Sequence, residues 1–188
     1  MIHYFFDSLT LHLQLVKDRH FQEQLGLVVE QVFQCLARGN KLLIAGNGGS
    51  AADAQHFAAE LMGRYMKERQ ALPAISLTTD TSALTAIGND YSFDQIFARQ
   101  VSGLGVAGDM LMVFSTSGNS KNLLEAVSVA RRKQLSTVGL LGNQGGLLKD
   151  AVALPLVVHS PSTPRIQEVH QLLLHIIAEE VERRLISS

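Results

Sequence analysis

Five short apolar runs constrain this chain more than any other feature: Lys41–Ala45, Ala74–Leu77, Met110–Phe114, Thr137–Leu141 and Leu154–Val158. Helical stretches separate them, at Ser50–Arg64, Ser82–Ile87, Phe93–Leu104 and Asn119–Lys133. Runs that stay apolar, instead of alternating with polar residues, belong to strands buried on both faces. Such strands interleaved with helices imply an α/β fold, here a five-stranded parallel, doubly wound sheet with helices on both faces.

An N-terminal helical extension precedes the sheet. Phe5–Val16 reads as one helix, and the helically spaced Leu25, Val28, Val29, Val32, Phe33 and Leu36 as a second, stopped at Arg38-Gly39. After the fifth strand, the linker Ser160-Pro-Ser-Thr-Pro164 leads into a long helix, Arg165 to Leu185. Proline is well placed there, because the first helical N–H has no partner to lose. The 188 residues suit one domain and are too few for two full ones. The expected layout is a single domain over 1–188, with helices in 1–38, the sheet core in 41–158 and the last helix in 164–188.

Charge and cysteine usage exclude several classes. Net charge is −1 with Lys and Arg scattered, so no broad basic surface for nucleic acid is expected. No apolar stretch approaches the ~20 residues of a membrane span. The lone Cys35 allows no intrachain disulfide and reads as a buried, reduced thiol, which together with the absence of a signal-peptide pattern in Met1–Asp7 predicts a cytoplasmic protein.

Doubly wound sheets bind ligands at the carboxyl ends of their strands. Three polar, glycine-bearing loops follow strands there: Gly46-Asn-Gly-Gly49, Ser115-Thr-Ser-Gly-Asn-Ser120 and Gly142-Asn-Gln-Gly-Gly146. The second combines hydroxyls, free backbone N–H groups and a helix N-terminus, which suits a phosphate monoester without a lysine. A capped Ser/Thr turn would use the same residues, but a second glycine loop at the same edge favours the anion. Neither loop ends in Gly-Lys-Ser/Thr, so neither is a Walker A motif. Gly46-Asn-Gly48-Gly-Ser-Ala51 matches a relaxed dinucleotide fingerprint, yet the length leaves little room for a second substrate domain.

His56 and Glu60 lie one turn apart on the helix that opens on Ser50, as an acid/base pair, a metal pair or a structural contact. The last helix carries Gln167, Glu168, His170 and His175 within an apolar pattern, and any that are buried need partners. Gln167 and His175 are about 12 Å apart along the axis, so one metal reaches both only at full side-chain extension or from different subunits. Asn89-Asp90 reads as a helix end turning into a loop. His3, His12, His20 and His159 show no partner pattern.

Taken in order, Gly46-Asn-Gly-Gly-Ser50, Asp53-Ala-Gln-His-Phe-Ala-Ala-Glu60, Gly63-Arg-Tyr65, Gly88-Asn-Asp90, Ser115–Ser120 and Arg165-Ile-Gln-Glu-Val-His170 with His175 resemble the sugar isomerase (SIS) domain superfamily, and within it the bacterial phosphoheptose isomerase family. The resemblance implies a homotetramer with sites at subunit boundaries. It implies phosphate binding by Ser115, Thr116, Ser117 and Ser120, with Asn47, Gly48, Gly49, Ser50, Asn89, Asp90 and Gln167 lining the substrate. It also implies one zinc per subunit on His56, Glu60, Gln167 and His175, and proton transfer by Glu60 and His175. A carboxylate on zinc is a poorer base, so Glu60 is expected to act as base with metal occupancy varying between states. The implied reaction converts sedoheptulose 7-phosphate to D-glycero-D-manno-heptose 7-phosphate through an enediol, for the lipopolysaccharide core. Some relatives carry Asp where this chain has Pro164, so no role is carried over to that position. The rival is a non-catalytic scaffold of the type that associates with the DnaA initiator; those relatives lack counterparts of Glu60 and His175 and carry Arg at the position of Ser117.

Overall fold

Two apolar faces of one sheet organise the chain. The computed structural model describes residues 1–187. In chain order the elements are α1 (Ile2–Lys17), α2 (Arg19–Ala37), β1 (Leu42–Gly46), α3 (Gly49–Met62), β2 (Ala74–Ser76), α4 (Thr81–Asp90), a 3-10 turn (Phe93–Gln95), α5 (Ile96–Leu104), β3 (Met110–Ser115), α6 (Lys121–Arg132), β4 (Ser136–Gly142), α7 (Gly146–Ala151), β5 (Leu154–Val158) and α8 (Thr163–Ser187). All strand pairings are parallel, in the order β2-β1-β3-β4-β5. Position 188 of the expected last helix lies outside the described residues.

Alternation along the strands feeds two cores. Leu42, Ile44, Met110, Met112, Phe114, Val138 and Leu140 pack on one face against α2, α3 and α8. Leu43, Ala45, Leu111, Val113 and Leu141 face the other, under residues of α5, α6 and α7. Covering on both sides is why the strands carry apolar residues at nearly every position. Side-chain capping sets two helix starts: Asp18 accepts from the Phe21 N–H (3.1 Å) and Asp80 from the Ala83 N–H (2.9 Å).

Several boundaries depart from the sequence expectation. The helix α3 stops at Met62, two residues early, and the Arg69 guanidinium donates to the carbonyls of Glu60 (2.8 Å) and Leu61 (2.9 Å), which lack helical partners. The helix α4 runs on through Gly88 to Asp90, and the Tyr91 N–H closes its last turn on the Ile87 carbonyl (3.0 Å). Asn119 and Ser120 precede α6 and belong to the loop, Ser120 as its N-cap. The short α7 grows out of the third glycine loop and was not expected. Cys35 is buried and free, and burial pushes its thiol up to about 11. Among the described residues no helix is long and apolar enough to cross a membrane.

Candidate active site

Strand order reverses between β1 and β3, the switch point at which open α/β sheets of this order take ligands. The two loops that leave these strands form the two halves of the site.

The turn after β3 is a cradle. Ser115, buried at the strand end, accepts through Oγ from the Gly118 N–H (3.0 Å) and lies 3.4 Å from the Ser120 hydroxyl. Ser117 is exposed, Thr116 and Ser120 half-buried. The first N–H groups of α6 have no partner within the helix and carry its positive end, an arrangement suited to a dianionic phosphate. The third loop braces the cradle from behind. Asn143 Nδ2 donates to the Thr116 carbonyl (2.9 Å), the Leu148 N–H to the Gly118 carbonyl (2.9 Å), and the Leu147 N–H to Asn119 Oδ1 (3.0 Å).

Gly118 is where this bracing is tightest. Its φ is +69°, and a Cβ there would fall 1.9 Å from the Gly145 carbonyl oxygen. Gly118→Ala is therefore expected to cost more than ~1 kcal/mol of stability and to weaken binding of inorganic phosphate. Denaturant titration and competitive inhibition by phosphate check this; an unchanged inhibition constant would show that the cradle does not bind phosphate.

The turn after β1 forms the opposite wall. Gly48 has φ +56°, and the Ser50 N–H donates to the Asn47 carbonyl (3.0 Å). Gln167 of α8 lies over this turn: a Cβ on Gly49 would meet its Nε2 at 2.3 Å. Asn89 and Asp90 are exposed at the end of α4, where Asn89 Nδ2 donates to Asp90 Oδ1 (2.9 Å) and neither side chain bonds to either loop.

Further along the same helix pair, α8 brings His175 to the His56–Glu60 turn. His56 Nε2 lies 3.0 Å from Glu60 Oε1 and 3.3 Å from His175 Nε2, and the two imidazoles meet edge to face with centroids 4.9 Å apart. One ligand atom from each of the three lies within 4.8 Å of the others, and all three side chains are half-buried. Two imidazole nitrogens and a carboxylate oxygen suit a borderline divalent cation with a position left for water or substrate. Gln167 does not sit with them in this chain. Gly49 and His56 are about 10 Å apart along α3, so contact with Gly49 places the Gln167 amide two turns from the triad.

Several residues of this region are present in the sequence motifs but receive no role there. Tyr65 stacks 5.8 Å from His175, and the loop that carries it is held by a buried Arg69–Glu182 pair. Asp53 is buried one turn before His56; burial raises its carboxyl to about 6, with His56 pulling it down, and its Oδ2 has no partner. His170, noted in the sequence for its polarity, is fully buried, and burial lowers it to about 4 against a weaker upward pull from the Leu141 backbone, so it is neutral at physiological pH.

The chain matches the SIS domain family model over residues 4–142. The phosphoheptose isomerase of Geobacter sulfurreducens is 54% identical over 168 residues, 89% of each chain. Among solved structures, phosphoheptose isomerase from Neisseria gonorrhoeae superposes with a TM-score of 0.91 at 44% identity, covering 97% of this chain and 96% of its own. The enzyme from Francisella tularensis gives 0.92 at 36% identity, covering 96% and 95%.

Proposed function

Because this chain belongs to the phosphoheptose isomerase family of SIS-domain proteins, we propose from its own residues how it handles a seven-carbon sugar phosphate. It is an aldose–ketose isomerase acting on sedoheptulose 7-phosphate. Relatives named as isomerases, together with Glu60, Ser117 and His175, disfavour the scaffold reading.

The observation that carries the mechanism is the pairing of an anion cradle with a carboxylate–imidazole cluster around one switch point. The phosphate of the open-chain ketose sits against Ser115, Thr116, Ser117 and Ser120. Asn47, Gly48, Gly49 and Ser50, with Gln167, line the sugar chain, and Asn89 and Asp90 reach it from α4. Glu60 removes a proton from C1, forming the cis-enediol as the C2 carbonyl oxygen gains a proton. His175 carries the proton exchange between the two oxygens. Protonation at C2 and loss of the O1 proton then leave the aldehyde of D-glycero-D-manno-heptose 7-phosphate. General acid–base steps of this kind contribute ~10²–10⁴ in rate.

Zinc fits the donor set of His56, Glu60 and His175, and when bound it would supply charge stabilisation for the enediolate oxygen. Gln167 would join that set from another copy of the chain. A homotetramer is supported by α1, whose Ile2, Phe5, Leu9, Leu13 and Val16 form an exposed apolar stripe at 48–77% exposure. The enzyme works in the cytoplasm, and its product supplies the heptose of the lipopolysaccharide core.

Calorimetric titration of metal-free protein with zinc tests the metal assignment. One site per chain is expected, lost in His56→Ala and His175→Ala; unaltered binding in both variants would place the metal elsewhere. Light scattering on the same samples gives the tetramer or refutes it.

A further inference from the structure

Asn122 is a polar residue that the reaction above leaves without a task, and it is 2% exposed. It lies in the first turn of α6, two residues after Ser120. Its side chain crosses the switch point to the other loop. Asn122 Nδ2 donates to Asn47 Oδ1 (2.8 Å), and Asn47 Nδ2 donates back to Asn122 Oδ1 (3.0 Å).

A reciprocal carboxamide pair has a specific consequence. Each amide uses one donor and one acceptor on the other and keeps one N–H and one lone pair. Turning one amide alone would set N–H against N–H and oxygen against oxygen, so each side chain fixes the orientation of the other. Asn122 is buried while Asn47 is half-buried, which leaves the spare donor and acceptor of Asn47 for a ligand between the loops. The same turn of α6 that offers its backbone N–H groups to an anion thus holds, through one side chain, the opposite wall.

We propose that Asn122 is a positioning residue that sets the register between the phosphate cradle and the sugar-binding loop by holding Asn47. This rests on the reading of Asn47 as a sugar contact. A sugar phosphate must satisfy both loops at once, whereas inorganic phosphate needs only the cradle. Loss of Asn122 therefore penalises the sugar phosphate selectively.

The test compares Asn122→Ala, Asn122→Leu, Asn47→Ala and the Asn47→Ala/Asn122→Ala double variant, each verified as folded by circular dichroism. Asn122→Leu keeps the approximate volume, brings no charge to the positive end of α6 and makes neither amide hydrogen bond, so it serves if the alanine variant fails to fold. Both Asn122 variants are expected to lose roughly tenfold in kcat/KM for sedoheptulose 7-phosphate, the worth of about one orienting hydrogen bond. The inhibition constant for inorganic phosphate should stay at the wild-type value. The double variant should be no worse than Asn47→Ala alone, because Asn122 acts through Asn47.

Unchanged kcat/KM in the Asn122 variants, a parallel loss of phosphate binding, or additive losses in the double variant would overturn the proposal. Wild-type kinetics in Asn47→Ala would instead refute the sugar contact itself, and the proposal with it.

Discussion

Glu60→Gln is expected to remain folded, to bind inorganic phosphate as the native protein does, and to lose turnover by a factor of about 10²–10⁴. The substitution preserves the volume and the reach of the side chain at its place one turn from His56, where Glu60 Oε1 now lies 3.0 Å from Nε2. It removes only the basicity and the charge. The cradle lies around Ser115–Ser120 on a different strand end and does not depend on that charge. Turnover and phosphate inhibition measured on one preparation separate the two functions. Wild-type rates would remove Glu60 from the proton-abstracting role, and loss of phosphate binding in parallel would mean that the two halves of the site are not independent.

The second large effect concerns stability. Glu182→Ala is expected to cost about 3–5 kcal/mol, because it strands a buried guanidinium. Glu182 and Arg69 side chains are 3% and 5% exposed and meet at 3.2 Å. The carboxylate also accepts from the N–H groups of Tyr65 (3.0 Å), Met66 (2.9 Å) and Lys67 (2.8 Å). Arg69 in turn ties the end of α3 through the Glu60 and Leu61 carbonyls. One ion pair therefore joins α8 to the segment that follows the Glu60-bearing helix.

Burial alone would raise the Glu182 pKa, but the N–H bonds from Met66, Lys67 and Tyr65 and the charge of Arg69 outweigh it and hold the carboxyl below its ordinary value. A depressed carboxylate contributes stability that is fully present above the unfolded value of about 4.3 and is lost as pH falls through the lower folded value. Denaturant midpoints between neutral and acid pH should therefore show a flatter acid limb in Glu182→Ala than in the native protein. Equal stability with an unchanged acid limb would show that the pair is dispensable.

How much of this was legible depended on sequence distance. Strand runs such as Met110–Phe114 announced themselves, because burial on both faces leaves nearly every position apolar. The loop Ser115–Ser120 was readable because its chemistry is contiguous, and the i, i+4 spacing of His56 and Glu60 put them on one face before any fold was known. That His175 joins them is a property of how α8 packs on α3, which the sequence suggested only through family resemblance. Glu182 and Arg69 lie 113 residues apart and Asn122 and Asn47 75 apart, and nothing local marks either pair. Even Gly88 misled: it lies inside α4, which ends two residues later at Asp90.

The central claim is that this chain moves a proton between adjacent carbons of a phosphorylated ketose. Proton NMR of sedoheptulose 7-phosphate incubated with the purified protein in D₂O, with and without added zinc, tests it most directly. An aldose anomeric signal should grow while deuterium enters at C2 of the product. No aldose under either metal condition would contradict the isomerase account.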